Sequence, residues 1–325
     1  MMHSIQSYQE LINRHIQALE FPESPKSLYK PIQYFLEIGG KRIRPILTLM
    51  GCEMFGGTTR QALSPALAIE VFHNFTLLHD DLMDAAPLRR NRPTVHEAFN
   101  ANTAILSGDA MLIQAYTLLN DAPKTLIQEL IHLFNSMAMD VCRGQQYDML
   151  FESRDQVSLE EYLEMIRLKT AVLLGTALQL GARLAGASAR DAQKLYAFGE
   201  SMGIAFQLQD DYLDAFGDAE HFGKQIGGDI LANKKTYLLI QALQIQDTPL
   251  REQLLGWLQK KPADPQEKIQ AVLDIYRTYG IDRQTLQAVK VYSEKAEAAL
   301  HAISIDAAQK APLLELCLGL MHRTV

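Results

Sequence analysis

Residues 77–96 read LLHDDLMDAAPLRRNRPTVH, and the rest of the chain is interpreted from this stretch. Asp80, Asp81 and Asp84 precede a break at Pro87. Because residues four apart share a helix face, Asp80 and Asp84 project together, with Asp81 about 100° round the helix. Carboxylates this close repel one another unless a positive charge lies among them. The stretch therefore indicates either a solvated acidic face or a cation site.

The sequence on both sides of the aspartates favours the cation site. The preceding turns are apolar, so the acids end a helix that is otherwise expected to be buried. These turns contain Phe72, Phe75, Leu77 and Leu78. Beyond the break come Arg89, Arg90 and Arg92. Mg²⁺ takes hard oxygen ligands, usually one or two carboxylates plus substrate phosphates, and arginine suits the same phosphates.

The same spacing of aspartates recurs in residues 206–214, which read FQLQDDYLD. This segment supplies Asp210, Asp211 and Asp214. Two helices that each present an aspartate cluster to one cavity could hold several Mg²⁺ ions between them. A diphosphate is the natural anion to fill the remaining coordination positions. The recurrence therefore indicates a diphosphate substrate that is bound through metal ions.

Four further motifs occur in an order that is typical of one enzyme family. They are GGKRIRP at 39–45, GQQYD at 144–148, KT at 169–170 and GKQIGGDILANKKT at 223–236. With the two DDxxD motifs, they make the chain resemble the trans-isoprenyl diphosphate synthases of the polyprenyl synthetase family. The resemblance implies head-to-tail condensation of isopentenyl diphosphate with an allylic diphosphate. It also implies dependence on Mg²⁺, with three ions in the substrate complex.

The resemblance implies an all-α fold, a single-domain helical bundle of the isoprenoid-synthase type around a central cavity. We expect one domain over residues 1–325, because the chain is long enough to bury a core and no linker divides it. Helices are expected at 5–21, 27–38, 45–56, 62–82, 101–120, 123–152, 158–186 and 189–216, and in five segments between 237 and 321. A loop and a helix are expected over 85–96. A homodimer is implied by family analogy.

The resemblance also assigns roles around the allylic diphosphate. The implied metal ligands are Asp80, Asp81, Asp84, Asp210, Asp211 and Asp214. The implied catalytic group is Asp80, Asp84, Asp210, Arg89, Lys169, Thr170, Gln207, Lys224 and Lys234. Its basic members surround the leaving diphosphate, whereas Thr170 and Gln207 turn a polar atom toward the carbocation. From the residues alone, Thr170 could instead bond the carbonyl oxygen of the preceding helix turn, and a core hydrogen bond explains Gln207 equally well.

Two polar residues of the GQQYD motif have open roles. Gln145 and Asp148 could orient Lys169 or a metal-bound water molecule. They could equally be ordinary polar positions of a helix. A lysine within an apolar helix does need a partner, and Lys169 is such a residue.

A second basic group is implied to bind isopentenyl diphosphate. It comprises Lys41, Arg44, His73 and Arg90. From the residues alone, Lys41 and Arg44 could instead complement a helix C-terminus, and His73 could be an ordinary core histidine. Asn91 replaces the glycine that usually follows the arginine pair in the family. Asparagine tolerates left-handed backbone geometry better than most residues, so the turn is expected to form.

Product length is expected to depend on side chains below the first cluster. The candidate positions are Phe72, Phe75 and Thr76. On an ideal helix Phe72 and Thr76 lie nearest the aspartate line, whereas family experience points to Phe75 and Thr76. Large aromatic side chains predict a short pocket, and hence a product of farnesyl or geranylgeranyl length. A longer polyprenyl product is the alternative.

Composition limits the possible partners and location. The net charge of −7 argues against general nucleic-acid binding, which needs a basic face. Three cysteines far apart in sequence provide neither a disulfide framework nor metal-ligand spacing. The first residues lack the apolar segment of a signal peptide, and no apolar run reaches the length of a membrane span. A cytoplasmic enzyme without stable membrane insertion is therefore expected.

Three other classes of protein fit parts of the sequence. Glu70–His73 and Glu129–His132 have the E-x-x-H spacing of di-iron carboxylate bundles, although that interpretation leaves both aspartate clusters unexplained. Terpene cyclases share the first DDxxD motif but typically carry an Asn/Ser/Glu motif in second place. A non-catalytic, regulatory subunit of a heteromeric synthase is the third alternative. Such subunits typically lose the aspartates, which are intact here.

Overall fold

The computed structural model describes residues 3–217, 226–260 and 262–321. Within them the fold is all-α, as predicted, apart from one antiparallel pair of short strands, β1 (Leu88–Arg89) and β2 (Arg92–Pro93). The helices are α1 (Ile5–Gln17), α2 (Lys26–Glu37), α3 (Ile43–Met54), α4 (Thr59–Met83), α5 (Val95–Ala98), α6 (Ala101–Leu119), α7 (Ile127–Ser153), α8 (Leu159–Ile166), α9 (Val172–Leu184), α10 (Ala189–Phe216), α11 (Gly228–Leu231), α12 (Tyr237–Leu243), α13 (Thr248–Gln259), α14 (Pro265–Tyr279), α15 (Ile281–His301) and α16 (Ala307–Met321). None of these helices combines the length and the apolar character needed to cross a lipid bilayer.

The helices group into two compact units, and each unit is described by itself. The first unit contains the described residues of Met1–Met137, Leu173–Tyr196 and Ile303–Pro312. The second unit contains those of Ala138–Val172, Ala197–Ala302 and Leu313–Val325. The expectation that residues 1–325 form one domain stays a prediction.

Helix α4 carries the first aspartate cluster, and its sequence explains its start and its burial. A capping box begins the helix: Thr58 Oγ1 accepts a hydrogen bond from the Gln61 amide, and Gln61 Oε1 accepts one from the Thr58 amide. Every residue from 65 to 72 is buried. From His73 to Asp80 most positions are only partly buried. The acids therefore end a helix whose middle part lies in the core, whereas the turns just before them, which were predicted to be buried, are mostly only partly buried.

The segment after α4 forms a hairpin, where the sequence predicted a loop and a helix. Arg89 pairs with Arg92, which leaves Arg90 and Asn91 as a two-residue turn. Both turn residues have a positive φ, 50° for Arg90 and 62° for Asn91. A type I′ hairpin turn requires this at both positions, and asparagine adopts it readily. The expectation that Asn91 sustains the turn is confirmed, but strands this short have no alternating pattern to recognise.

The helix predicted over 158–186 is interrupted in its middle. A π-helical turn at Arg167–Ala171 separates α8 from α9. Such turns insert an extra residue into a helix and are frequent at functional sites. This one contains Lys169 and Thr170, and the apolar sequence around them gave no sign of the interruption.

In the second unit, two apolar clusters include residues from the C-terminal part of α10. One cluster contains Tyr162, Ile166, Ile204, Leu208, Tyr237 and Ile240. The other contains Ala215, Leu238, Val272, Leu273 and Tyr276. Residues of α8, α12 and α14 thus pack with the turns of α10 that carry the second aspartate cluster.

In the first unit, α3 and α9 meet in backbone contact at two glycines. A Cβ atom on Gly181 would lie 2.0 Å from the Thr48 carbonyl oxygen. A Cβ atom on Gly51 would lie 2.6 Å from the Leu178 carbonyl oxygen. Glycine is therefore required at both positions for the two helices to pack this closely.

We expect Gly181→Ala to lower the free energy of unfolding by about 1–3 kcal/mol, because the added methyl group forces the two backbones apart. Thermal and urea unfolding followed by circular dichroism measure the loss. Gly256→Ala in α13 is the matched control, since a Cβ atom there meets nothing within 4 Å and alanine is the better helix former. Equal destabilisation of both variants would contradict this account of the packing.

Candidate active site

In the first cluster, the three aspartates differ in how deeply they are buried. Arg89 Nε donates to both carboxylate oxygens of Asp81, at 2.9 Å and 2.7 Å. Asp80 is partly buried, with its Oδ2 atom 4.0 Å from Arg89 Nη2. Asp84 is exposed at the C-terminal end of α4. Arg89 therefore anchors Asp81, while Asp80 and Asp84 are the more accessible carboxylates.

The pairing of Asp81 with Arg89 also fixes the hairpin against α4. Burial raises the pKa of Asp81, whereas the hydrogen bond and the charge of Arg89 lower it. Breaking such a pair would leave an uncompensated charge in the interior, which is strongly unfavourable. The ion pair therefore sets where the turn with Arg90 lies relative to the first cluster.

The predicted isopentenyl diphosphate residues gather near the start of α3. Gly40 has a φ of 148°, and a Cβ atom there would lie 2.6 Å from Arg90 Nη1. Glycine thus lets the Arg90 guanidinium rest against the backbone beside Lys41. Arg44 lies in the first turn of α3, so it does not complement a helix C-terminus. Its Nε atom is buried and has no hydrogen-bond partner among the described residues, as suits a donor for a bound anion.

His73 is held neutral by its surroundings. Burial lowers its pKa well below the usual range, and the charges of Arg44, Arg89 and Arg90 lower it further. A neutral imidazole donates one hydrogen bond and accepts another without adding charge. Burial also lowers the pKa of Arg44, to about 10, so this guanidinium is still charged at pH 7. The corner therefore combines cations with one neutral donor.

In the second cluster the middle aspartate is again the buried one. Tyr162 donates its hydroxyl to one carboxylate oxygen of Asp211, and the Tyr237 amide donates to the same oxygen at 3.2 Å. Gln207 Nε2 donates to the other oxygen at 3.2 Å. Burial raises the pKa of Asp211 to about 7; the Asp229 charge adds to the rise, and these hydrogen bonds oppose it. Asp211 is thus held by protein donors, like the middle aspartate of the first cluster.

The segment after the second cluster returns to it through backbone hydrogen bonds. The Asp229 amide donates to Asp214 Oδ2 at 3.0 Å, and the Lys234 amide donates to the Asp229 carbonyl oxygen at 2.9 Å. A cavity of about 10 Å³, enough for one water molecule, lies among residues that include Asp211, Asp214 and Lys234. Lys234 is exposed and Asp210 is partly buried. Lys224, the other predicted lysine of this segment, lies outside the described residues.

Lys169 is paired with Asp148, one of the residues for which the sequence left several roles open. Its Nζ atom donates to Asp148 Oδ2 at 2.6 Å. Gly144, one turn before Asp148, allows the contact, because a Cβ atom there would lie 2.2 Å from the Lys169 amide nitrogen. Of the roles left open for Asp148, the structure therefore has the one in which it orients Lys169.

Thr170 and Gln207 are hydrogen-bonded to each other, as the protein hydrogen bond suggested for Gln207 allows, whereas for Thr170 the sequence suggested a bond to the preceding helix turn. Thr170 Oγ1 donates to Gln207 Oε1 at a long distance of 3.5 Å. The amide nitrogen of Gln207 donates to Asp211, so both ends of this amide are directed by protein atoms. A role of either residue facing a carbocation stays a prediction.

The three predicted length-determining positions differ in exposure. Phe72 is buried, with its ring edge-on to Phe134 and the ring centroids 5.1 Å apart. Phe75 is partly buried and contacts Phe72 at a centroid distance of 5.6 Å. Thr76 donates its hydroxyl to the His73 carbonyl oxygen at 2.8 Å, within the helix. Phe75 is therefore the more accessible aromatic ring, and Phe72 supports it from the core.

Sequence reasoning missed the residues that hold the site in place. Tyr162 is 49 positions from its partner Asp211, so no local spacing could reveal it. Glu70 was noticed only as part of an E-x-x-H pair. In the structure it accepts a hydrogen bond from Arg42 Nη1 at 2.6 Å. The sequence contained one sign that Glu70 has a basic partner. Arg42 is the one cation of GGKRIRP to which the resemblance gave no role.

The other E-x-x-H glutamate is also bonded to an arginine. Arg183 Nη2 donates to Glu129 Oε2 at 3.0 Å. Within the described ranges, no three His, Cys, Asp or Glu side chains stand close enough to hold a metal ion by themselves. The carboxylate oxygens of the two clusters fit Mg²⁺, which commonly completes its octahedron with water and substrate phosphates. The aspartate oxygens thus suit Mg²⁺, whereas the two glutamates of the di-iron alternative are bonded to arginines.

Comparison with known proteins identifies the family of this chain. The Polyprenyl synthetase family model matches residues 25–276. A geranylgeranyl pyrophosphate synthase of Geoglobus acetivorans is 41% identical over 237 residues, which cover 72% of this chain and 74% of that protein. A geranylgeranyl diphosphate synthase of Sulfolobus acidocaldarius is 36% identical over 292 residues, 89% of this chain and 87% of that protein. A crystal structure of a geranylgeranyl pyrophosphate synthase has a TM-score of 0.94 at 44% identity, with 100% of both chains covered. This chain therefore belongs to the polyprenyl synthetase family.

Proposed function

We propose that this protein is a trans-prenyltransferase that condenses isopentenyl diphosphate head-to-tail with an allylic diphosphate. The product is a short-chain prenyl diphosphate of farnesyl or geranylgeranyl length. The observation that carries the proposal is the matched construction of the two aspartate clusters. In each cluster the middle aspartate is buried against protein donors, whereas the first aspartate is only partly buried. The names of the related proteins favour the geranylgeranyl length.

The accessible carboxylates are proposed to bind the metal ions. Mg²⁺ supplies electrostatic stabilisation of the leaving diphosphate. Its proposed ligands are Asp80, Asp84, Asp210 and Asp214. Asp81 and Asp211 were also predicted as ligands, but each is the most buried aspartate of its cluster, at 2% and 5% exposure. We therefore propose that these two residues hold their clusters in place.

Basic residues are proposed to stabilise the charge that develops as the allylic carbon–oxygen bond breaks. Fixed cations aimed at a leaving group act more strongly in a site that excludes water. The proposed cations are Arg89, Lys169, Lys234 and Lys224, the last of which lies outside the described residues. Asp148 keeps Lys169 directed, since the two side chains are joined by a 2.6 Å hydrogen bond.

The basic corner near α3 is proposed to bind the diphosphate of isopentenyl diphosphate. Lys41, Arg44 and Arg90 supply charge, and the neutral His73 supplies a hydrogen bond. The free Nε donor of Arg44 supports this role. The bound double bond then attacks the allylic carbocation, and the departing diphosphate takes the proton that is lost. This second diphosphate site distinguishes the proposal from a terpene cyclase.

A product assay tests the proposal. Purified protein is incubated with isopentenyl diphosphate, Mg²⁺ and dimethylallyl, geranyl or farnesyl diphosphate in turn, and the dephosphorylated products are sized. Farnesol or geranylgeraniol is the expected main product. Failure to elongate any starter would contradict the proposal and favour a regulatory subunit. A hydrocarbon formed without consumption of isopentenyl diphosphate would indicate a cyclase.

Substitution of one aspartate in each cluster separates metal binding from general surface charge. Asp80→Asn and Asp210→Asn are each expected to lower kcat by at least about 100-fold, because each removes charge from a proposed metal ligand. Steady-state assays at saturating Mg²⁺ measure the effect. Asp274→Asn, on an exposed position of α14, is the matched control and should retain full activity. Near-normal kcat in either cluster variant would exclude that cluster from the metal site.

The product-length proposal is tested at the accessible aromatic ring. Phe75→Ala is expected to shift the main product to longer chains, because it removes a ring beneath the first cluster. Chromatography of the dephosphorylated products measures the distribution. Phe99→Ala is the control, since Phe99 also packs against an aromatic ring, that of Tyr34, but follows α5 and does not belong to α4. An unchanged product in Phe75→Ala would place the length determinant elsewhere.

We also propose a homodimer, through a face of α6. Leu106 and Ile113 lie two turns apart on this helix and are 61% and 68% exposed, with Ile105 beside them at 44%. Large apolar side chains gathered on one exposed face are typical of a protein interface. The second copy is the occupant that family analogy favours.

Charged residues on this face should dissociate the dimer. The Leu106→Lys/Ile113→Lys double variant is expected to be monomeric in analytical ultracentrifugation at micromolar concentration, because lysine is depleted from the buried centre of interfaces. Leu255→Lys, an exposed leucine of α13, is the control and should stay dimeric. A monomeric wild-type protein, or a double variant that stays dimeric, would refute the proposed interface.

A further inference from the structure

In the sequence, Arg42 lies between Lys41 and Arg44, which are both proposed to bind isopentenyl diphosphate, but it differs from both in its surroundings. It is 5% exposed and has a φ of 53°, in the left-handed region. A residue with a long side chain adopts that conformation only where the surrounding contacts impose it. Its backbone precedes α3 directly, so those contacts also fix where α3 begins.

The guanidinium of Arg42 is bonded to three different parts of the first unit. Its Nε atom donates to Asn13 Oδ1 at 3.0 Å, in α1. Its Nη2 atom donates to the Leu36 carbonyl oxygen at 2.9 Å, in α2. Its Nη1 atom donates to Glu70 Oε1 at 2.6 Å, in α4. Arg42 therefore ties the loop of the basic corner to three helices at once.

Glu70 is the acidic partner of this network and is 3% exposed. Its Oε1 atom also accepts a hydrogen bond from Asn74 Nδ2, at 3.0 Å. Asn74 Nδ2 bonds the Glu70 carbonyl oxygen as well, at 2.7 Å. The bonded carboxylate thus lies on the turn of α4 that carries His73.

The negative charge of Glu70 acts on Arg44 and Arg90, two of the residues proposed to bind the diphosphate. Burial lowers the pKa of Arg44 and of Arg90, and the Glu70 charge raises both. Arg42 is the cation in direct contact with Glu70, so it compensates most of the negative charge of Glu70. Without Arg42, a buried carboxylate with no cationic contact would attract Arg44 and Arg90 and repel a diphosphate.

We propose that Arg42 is a positioning residue for isopentenyl diphosphate, which neutralises Glu70 and fixes the start of α3 so that Lys41, Arg44 and Arg90 remain available to the substrate. It does not itself contact the diphosphate. The inference rests on the proposed function, because that function assigns the basic corner to isopentenyl diphosphate.

The test compares Arg42→Met with Arg42→Met/Glu70→Gln. The single variant is expected to raise KM for isopentenyl diphosphate about tenfold or more, with KM for the allylic diphosphate changed less than about twofold. The double variant should recover most of the lost affinity, because glutamine removes the unpaired charge and can still accept from Asn74. Calorimetric titration with isopentenyl diphosphate measures the same affinity without turnover.

Two further variants separate positioning from general stability. Arg183→Met is the matched control, since Arg183 is also bonded to a glutamate of the first unit, Glu129. It should lower the unfolding temperature without a selective change in either KM. Arg42→Lys keeps a charge beside Glu70 and should bind isopentenyl diphosphate within about threefold of the wild type. It also serves if Arg42→Met does not fold.

Each contrary outcome is informative. Equal changes in both KM values, in proportion to the fall in unfolding temperature, would make Arg42 merely structural and overturn the inference. A double variant as weak as Arg42→Met, or an Arg42→Lys variant as weak, would also overturn it, because neutralisation of Glu70 would not be the cause. If the wild type binds isopentenyl diphosphate in the predicted pattern but never elongates a starter, the proposed function fails while the positioning role stands.

Discussion

The candidate site depends on tying one aspartate of each cluster to protein donors. Asp81 is held by Arg89, and Asp211 by the Tyr162 hydroxyl with two further donors. Carboxylates at DDxxD spacing repel one another, so a cluster without such anchors would spread its side chains into solvent. Anchoring the middle residue fixes the helix turn that carries its neighbours. On the proposed function, those neighbours supply some of the oxygen ligands of a metal ion, and a diphosphate supplies others.

A second constraint acts on the cations, which must lie close together without being neutralised by the protein. Arg44 and Arg90 lie near His73, whose pKa is lowered well below its usual range by burial first and by their charges in addition. One buried glutamate, Glu70, offsets the repulsion between these two arginines. Its direct ion-pair partner is Arg42. The corner therefore keeps a net positive field for an anionic substrate. The same arrangement would explain why the motif contains three basic residues, of which Lys41 and Arg44 are the two proposed to bind the diphosphate.

The local sequence pattern predicted most of the helices. The features that it did not predict depend mainly on contacts between residues far apart in sequence. The observed α10 (Ala189–Phe216) has the predicted bounds, because apolar periodicity and the aspartate cluster both lie within it. The π-turn at Lys169 could not be predicted, since it meets Gly144 of another helix in backbone contact. The hairpin was missed because its strands have two residues each. Site residues were found by motif, but their anchors, such as Tyr162, follow only from tertiary packing.

The central claim is that the aspartate clusters bind metal ions tightly only when a diphosphate is bound with them. Titration with Mn²⁺, a paramagnetic substitute for Mg²⁺, followed by electron paramagnetic resonance, tests this most directly. The protein is measured alone and with geranyl thiolodiphosphate, an unreactive allylic analogue. Among the described residues no group of three ligating side chains is preformed, so we expect weak binding alone and tight binding of several ions with the analogue. Metal affinity that is the same with and without the analogue would contradict the account.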